Sequence, residues 1–149
     1  MNEFDIKYME KALELAKEAY NDDEVPVGAV IVQNNKIIAT GRNRREKEKN
    51  ALLHAEIDAI HNACKALGGW RLWNCDIYVT LEPCPMCAGA IMNSHIPNVY
   101  FGAYDFKNGS CGTITNLFEM PYNFKPSCKG GIMEIECAEL LKSFFKKLR

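Results

Sequence analysis

Two short segments of the chain combine residue types that bind transition metals and transfer protons. One is His54-Ala55-Glu56, and the other is Pro83-Cys84-Pro85-Met86-Cys87. We place each at the N-terminus of a helix, where free backbone N–H groups and the helix dipole favour the thiolate form of cysteine. Thiolate and imidazole together form a ligand set that suits zinc. The two segments therefore predict a zinc site that includes His54, Cys84 and Cys87.

The number of ligands indicates what such a site does. A structural zinc is bound by four protein ligands, whereas a catalytic zinc is bound by three and keeps one position for water. Two thiolates cancel the charge of the ion, so the bound water is less acidic than it would be with neutral ligands. A nearby base would therefore help to deprotonate it. Glu56 lies two residues after His54 and can reach the open side of the metal. We expect Glu56 to take a proton from the water and deliver it to the substrate.

A closed structural site remains an alternative at this point. A fourth thiol would complete His54, Cys84 and Cys87, and the chain offers five further cysteines: Cys64, Cys75, Cys111, Cys128 and Cys137. The default interpretation of those five is that they are small core residues.

Hydrophobic periodicity predicts strands that alternate with helices. Helices are expected from Ile6 to Tyr20 with Asp5 as the N-cap, from His54 to Leu67, from Pro85 to about His95, and near the C-terminus. Strands are expected over Val25–Gln33, Lys36–Asn43, Asp76–Thr80 and Asn98–Ala103, with a hairpin turn at Asn34-Asn35. The apolar residues of the C-terminal helix are Ile135, Ala138, Leu141, Phe145 and Leu148. This alternation predicts an α/β protein with helices on both faces of a mixed sheet.

The composition is that of one globular domain spanning residues 1–149. With 48% hydrophobic residues and a net charge of −1, the chain is not disordered, and nucleic acid is neither demanded nor excluded as a partner. No apolar run approaches the roughly 18 residues of a membrane span, and the N-terminus lacks a secretory signal. We therefore expect a cytoplasmic protein that does not contact a membrane.

The motifs also resemble a known family. The H-x-E and P-C-x-x-C segments form the signature of zinc nucleobase deaminases. Beyond it, the chain resembles the bacterial tRNA adenosine deaminases that act at the wobble position, in collinear order over nearly its whole length. The matching segments are Glu24–Val30, Gly41–Asn43, His54–Ile57, Leu81–Ala90, Phe101–Ala103, Lys107–Gly112 and Glu136–Phe145.

The resemblance implies a fold, an activity and partners. The implied fold is a cytidine-deaminase-like three-layer α/β/α sandwich with a mixed five-stranded sheet. The implied activity is hydrolytic conversion of adenosine to inosine in a tRNA anticodon stem-loop, by a homodimer with one zinc ion per chain. By position, His54, Cys84 and Cys87 would bind the metal and Glu56 would shuttle protons.

The resemblance further implies which residues contact the nucleotides. Asn43 would hydrogen-bond the flipped base, and the pocket would be shaped by Pro83 and by the segment containing Pro26, Val27 and Ala29. Asp105, Lys107 and Phe145 would contact the flanking RNA, together with the basic C-terminal tail. The chain departs from the family pattern at Leu53, Tyr104 and Phe124, where Ala, Arg and His are more usual.

Two other functions remain open from the sequence. A deaminase of a free base or nucleoside, such as cytosine or guanine, would use the same four metal and proton-transfer residues. The segment Lys107–Gly112 and the long C-terminal helix favour the tRNA branch over it. The other possibility is a non-enzymatic structural zinc module, against which an intact Glu56 argues.

Overall fold

A five-stranded mixed sheet forms the centre of the protein. The computed structural model describes residues 2–148, and its strands are β1 (Gly28–Gln33), β2 (Lys36–Arg42), β3 (Cys75–Leu81), β4 (Asn98–Ala103) and β5 (Ser127–Lys129). The strand order is β2-β1-β3-β4-β5. β1 is antiparallel to both β2 and β3, whereas β3, β4 and β5 run parallel.

Four α-helices cover the two faces of this sheet. They are α1 (Glu3–Asn21), α2 (Ala55–Leu67), α3 (Pro85–Asn93) and α4 (Glu134–Lys147), and a short 3₁₀ helix spans Leu117–Glu119. None of the helices within residues 2–148 is long and apolar enough to cross a membrane.

Successive side chains of a strand point to opposite faces, and β1 shows this division clearly. Ile31 lies in a core that also contains the buried alanines of α2 and Ile91 of α3. Val30 and Val32 lie in a second core with Met9 of α1 and the start of α4. Helices α2 and α3 therefore pack on one face and α1 and α4 on the other, which confirms the predicted three-layer α/β/α architecture.

Two glycines allow α1 and α2 to approach the sheet closely. A Cβ atom on Gly28 would lie 2.1 Å from the carbonyl oxygen of Ala12 in α1. A Cβ atom on Gly41 would lie 2.3 Å from the backbone nitrogen of Ala59 in α2. Any larger residue would push a helix away from the sheet, so these two glycines set how closely α1 and α2 pack on it.

The strand directions bring three chain segments to one edge of the sheet. β2, β3 and β4 all end at this edge, because β2 and β3 are both antiparallel to β1 and β4 is parallel to β3. The residues that follow these strands, starting at Asn43, Glu82 and Tyr104, therefore meet there. Ligand sites of open α/β sheets lie at this carboxyl edge.

Several local predictions are confirmed in detail. Asn34 and Asn35 form the hairpin turn with φ values of 52° and 62°, and α2 ends at Gly68 with a left-handed φ of 69°. Other boundaries differ by a few residues. β1 begins at Gly28 rather than Val25, and α3 ends at Asn93 with Ser94 as its cap.

The predicted N-cap of α1 is wrong. The helix begins earlier, and Oδ1 of Asn2 accepts a hydrogen bond from the backbone of Asp5 at 2.9 Å. Asp5 is instead buried, and its carboxylate accepts a 2.6 Å hydrogen bond from the hydroxyl of Tyr78. Asp5 thus links α1 to the central strand β3.

The C-terminal third of the chain departs most from the sequence-based expectations. Strand β5, which has three residues, falls between Tyr104 and Gly131, a stretch whose glycines and prolines are typical of a loop. In α4 the buried residues are Cys137 and Phe144, whereas Ile135 is 69% exposed and Phe145 is 46% exposed. The predicted apolar face of α4 is therefore confirmed for Ala138 and Leu141, which pack against the core, and wrong for Ile135, Phe145 and Leu148, which are exposed. Phe145 is thus available to a ligand.

Candidate active site

The three predicted metal ligands lie at the N-termini of two helices. His54 is the N-cap residue of α2, and Cys84 is the N-cap residue of α3. Neither side chain caps its own helix, so both are free to bind another group. Pro85 occupies the first turn of α3, where its fixed φ suits the helix, and Cys87 follows in the same turn.

The distances among these side chains fit a tetrahedral metal. Nδ1 of His54 lies 3.6 Å from Sγ of Cys84 and 3.5 Å from Sγ of Cys87. A zinc ion with ordinary bond lengths and tetrahedral angles would hold such a nitrogen and sulfur roughly 3.5 Å apart. The three ligand atoms all lie within 4.8 Å of one another. The donor set and its spacing therefore match zinc.

Electrostatics prepare the cysteines to bind a cation. The pKa of Cys84 is lowered to about 4, mainly because the thiol of Cys87 hydrogen-bonds its thiolate, with a further contribution from His54. The pKa of Cys87 is raised by the same hydrogen bond and by burial. Hydrogen bonding to Cys84 also raises the pKa of His54. The two cysteines thus share one proton, which a divalent cation would displace.

Glu56 is the carboxylate beside the three ligands. It lies in the first turn of α2, is only 4% exposed, and lines the same cavity as His54 and Cys84. Burial raises its pKa to about 7. A carboxyl group with a pKa near neutrality can both accept and donate a proton at physiological pH.

A cavity of about 980 Å³ opens above these residues. Its lining comes from all three segments that meet at the carboxyl edge of the sheet. Of the predicted nucleotide-contacting residues, five line it: Val27, Asn43, Asp105, Lys107 and Phe145.

Three predicted pocket residues lie behind this lining. Pro26, Ala29 and Pro83 are buried and are not among the lining residues. Ala29 belongs to the core under α2, and the carbonyl of Pro83 accepts a hydrogen bond from the backbone of Ser110 at 2.9 Å. Of the three departures from the family pattern, only Tyr104 lines the cavity.

Asn43 is held in place by contacts that the sequence did not indicate. Its Oδ1 accepts a 3.1 Å hydrogen bond from the backbone of Arg45, and its own N–H donates to the carbonyl of Val27 at 3.1 Å. The carboxylate of Asp58, in α2, accepts from the backbone of Arg42 and pairs with Arg44. Asp58 therefore ties the segment carrying Asn43 to the helix carrying Glu56.

A buried carboxylate holds the next part of this segment. Glu24 is 2% exposed and accepts backbone hydrogen bonds from Glu46 at 3.0 Å and from Lys47 at 2.7 Å. Sequence reasoning did not single out Glu24, because a glutamate in a charged stretch resembles an ordinary surface residue.

The closed structural site is not supported. Within residues 2–148, the one group of three or more side chains that can share a metal is His54, Cys84 and Cys87. All seven cysteines are free, and none of the other five joins this group. The described chain therefore leaves one position of a tetrahedral ion open toward the cavity.

Comparison with known proteins agrees with this geometry. The family model for the cytidine and deoxycytidylate deaminase zinc-binding region matches residues 2–103, which include both motif segments. The chain belongs to the zinc-binding cytidine and deoxycytidylate deaminase family. Its resident metal is accordingly zinc, and His54, Cys84 and Cys87 form a group of side chains suited to hold one such ion.

Within this family, close relatives carry the name tRNA-specific adenosine deaminase. The relative from Bacillus subtilis (strain 168) is 49% identical over 146 residues, covering 97% of this chain and 91% of the relative. The relative from Rickettsia bellii (strain RML369-C) is 45% identical, covering 95% of this chain and 99% of the relative. The chain is a member of this group of deaminases, as the sequence predicted.

A solved structure supports the same placement. It comes from a study of A-to-I editing by tRNA:A34 deaminases at the wobble position of transfer RNA. Its TM-score to this chain is 0.88 at 43% identity, covering 90% of this chain and 98% of the solved one.

Proposed function

We propose that this protein hydrolytically deaminates adenosine to inosine at the wobble position of a tRNA anticodon. The observation that carries the proposal is the cavity that the buried Glu56 lines together with His54 and Cys84, two of the three side chains grouped to hold a metal. The names of its relatives support the substrate.

In this proposal, His54, Cys84 and Cys87 hold one zinc ion per chain. Zinc bound there polarises a water molecule and lowers its pKa. The helix N-termini that carry the ligands supply partial positive charge, which stabilises the two thiolates.

Glu56 is the catalytic acid and base. It accepts a proton from the attacking water as the bond from that oxygen to C6 of adenine forms, and it delivers this proton to the ring nitrogen beside C6. It then takes the remaining hydroxyl proton and passes it to the amino group. The C6–N bond breaks, ammonia leaves, and C6 becomes the carbonyl of inosine.

The walls of the cavity recognise the base. Asn43 presents an amide whose orientation is fixed by its hydrogen bond from Arg45, and this amide hydrogen-bonds the flipped adenine. Val27 provides an apolar surface beside it. Pro26, Ala29 and Pro83 shape this wall from behind, as buried residues.

The surface next to the cavity suits an RNA strand better than a free base. A groove of about 650 Å³ adjoins the cavity and shares Lys107, Lys142 and Phe145 with it, and Lys146 extends it along α4. Lysines neutralise phosphates, and an exposed aromatic ring stacks on unpaired bases. Lys107 and Phe145 thus contact the anticodon loop, and Asp105 contacts a nucleotide beside the target.

Three further features belong to the proposal. Residues 1–149 act as a single deaminase domain, the protein works in the cytoplasm, and it forms a homodimer, as the family resemblance implies.

Deamination of a free base is the second candidate. The structure of a guanine deaminase from Bacillus subtilis is similar to this chain, with a TM-score of 0.66 at 30% identity over 98% of this chain and 95% of the other. The lysine-lined groove next to the cavity has no role with so small a substrate.

A side-by-side assay separates the two candidates. The zinc-loaded protein is incubated with an anticodon stem-loop carrying adenosine at the wobble position, and separately with guanine, cytosine and adenosine. A stem-loop with guanosine at that position is the matched control. We expect inosine in the first RNA alone, whereas ammonia release from guanine or cytosine without inosine in RNA would favour the second candidate.

A further inference from the structure

Glu82 is a buried carboxylate that the proposed chemistry does not use. It directly follows β3 and precedes Pro83 and Cys84, and it is 1% exposed. No Lys, Arg or His of residues 2–148 forms an ion pair with it. A buried charge without a cationic partner must be stabilised by hydrogen bonds.

All four hydrogen bonds to Glu82 come from one neighbouring loop. Oε1 accepts from the backbone of Asp105 at 3.1 Å, and Oε2 accepts from the backbones of Cys111 and Thr113, each at 3.1 Å. The hydroxyl of Thr113 also donates to Oε1. Hydrogen bonds to an ionised acceptor are stronger than neutral ones, so this carboxylate fixes both ends of the 105–113 loop.

Other contacts also hold the loop. The backbone of Ser110 donates to the carbonyl of Pro83 at 2.9 Å, and Cys111 packs in the core under α2. Oδ1 of Asp105 accepts from the backbones of Lys107 and Asn108, at 3.0 and 3.1 Å. Gly109 packs directly on the carboxylate, since a Cβ atom there would lie 2.5 Å from Oε1 of Glu82 and from the carbonyl of Asp105. Glu82 therefore accepts four hydrogen bonds from the loop, against one at Pro83, and is the main hydrogen-bond anchor of the loop to the segment that follows β3.

The loop presents an unusual side chain at the cavity. Phe106 lines the cavity and is 80% exposed, the highest exposure among the exposed large hydrophobic residues of the described chain. Its neighbours Asp105 and Lys107 line the cavity as well. An exposed ring beside a lysine at the mouth of a cavity matches the platforms on which single-stranded bases stack.

We propose that Phe106 stacks on an unpaired base next to the target nucleotide, and that Glu82 is the positioning residue that holds Phe106 there. This inference rests on the proposed RNA substrate. It assigns to the loop a contact that neither Asp105 nor Lys107 supplies, because only an aromatic ring stacks on a base, whereas the charge of Lys107 neutralises a phosphate.

The test is a double-variant cycle on RNA binding. The dissociation constant of the anticodon stem-loop is measured for the zinc-loaded protein and for Phe106→Ala, Glu82→Gln and the pair combined. Removing an aromatic ring on which one base stacks weakens RNA binding roughly five- to hundredfold. In Glu82→Gln one oxygen becomes an NH₂ group that cannot accept the loop N–H groups, so we expect a comparable loss.

The combined variant decides the inference. If Glu82 acts through Phe106, the loss of RNA affinity in the combined variant is smaller than the product of the two single losses. If the two single losses of RNA affinity multiply in the combined variant, the inference is overturned. Unchanged RNA affinity in either single variant would overturn it as well.

Glu24→Gln is the matched control, because it makes the same change in a buried carboxylate that holds a different loop. The loss of RNA affinity in Glu24→Gln should multiply with the loss in Phe106→Ala when the two variants are combined. A loss that does not multiply would show that any disturbed loop gives the same result, and the specific role of Glu82 would be wrong.

Two readouts separate this inference from the proposed function. Hydrogen exchange without RNA should show lost protection of the Asp105, Cys111 and Thr113 amides in Glu82→Gln, and retained protection would overturn the positioning role whatever the substrate is. Zinc content should stay at one ion per chain, and loss of zinc would show that Glu82 supports Cys84 instead. Gly109→Ala displaces the loop while keeping the carboxylate, so it replaces Glu82→Gln if that variant does not fold.

Discussion

The floor and the rim of the cavity are built in different ways. The floor consists of His54, Cys84, Cys87 and Glu56, which all lie in the first turns of helices packed on the sheet. The rim consists of loops without regular structure, held by the buried carboxylates Glu24 and Glu82, together with side chains of α4 such as Lys142 and Phe145. From this difference we infer that the residues of the floor perform the chemistry and that the residues of the rim select the substrate. Variants of the floor should then lower kcat, and variants of the rim should raise KM.

The largest effect is expected from removing a metal ligand. Cys87→Ala leaves two ligands, so we expect loss of zinc and of all measurable deamination. Stability should fall as well, since metal binding is coupled to folding. Zinc content, activity and Tm measured on the same preparation check this, with Cys64→Ala as a control cysteine outside the site. A Cys87→Ala protein that keeps its zinc would contradict the ligand assignment.

Glu56→Gln should give the next largest effect, and it isolates the chemistry of the floor. Removing a general acid–base typically costs 10²–10⁴-fold, so we expect kcat to fall by at least about that factor. Zinc content and RNA affinity should be unchanged, because Glu56 is not among the ligands. Single-turnover rates at saturating RNA provide the measurement, and turnover near the wild-type rate would remove Glu56 from the mechanism.

Asn43→Ala tests the boundary between floor and rim. In the proposed function this residue hydrogen-bonds the base and transfers no proton. We therefore expect kcat/KM to fall roughly tenfold to hundredfold, within the range of about 1–3 kcal/mol for a lost hydrogen bond in a buried site. Asp58→Asn, which disturbs the support of Asn43 without removing it, should give a smaller loss in the same direction. A loss in kcat without any loss of RNA affinity would show that Asn43 acts in the chemical step instead of in binding the base.

Lys142→Ala should give the smallest effect. Its charge lies in the groove beside the cavity, so we expect RNA binding to weaken a few-fold for every sequence and the salt dependence of binding to decrease by about one phosphate contact. Lys36→Ala, on an exposed residue at the start of β2, is the control. An unchanged salt slope would exclude Lys142 from the RNA contact.

The floor could be predicted from the sequence because its chemistry requires particular residue types at fixed spacing. A histidine and a Cys-x-x-Cys pair at helix starts constrain both the metal and its open position. The hairpin turn at Asn34-Asn35 was equally predictable, since few residues adopt left-handed backbone without strain.

The rim could not be predicted in the same way. Glu24 and Glu82 look like surface charges in the sequence, and only the fold shows that each is buried and accepts backbone N–H groups. The spacing of apolar residues placed Phe145 on the buried face of its helix, because such spacing cannot distinguish a core residue from one kept for a ligand, and only the family resemblance indicated an RNA contact there. Strand β5 is too short to give a pattern, and it forms because β4 offers it a parallel partner.

The open metal position is the claim on which the mechanism depends, and X-ray absorption at the zinc edge of the purified protein tests it most directly. We expect two sulfur neighbours at about 2.3 Å and two nitrogen or oxygen neighbours at about 2.0 Å, one from His54 and one from solvent. Three or four sulfur neighbours would mean that another cysteine closes the site, which would contradict a catalytic role for the metal.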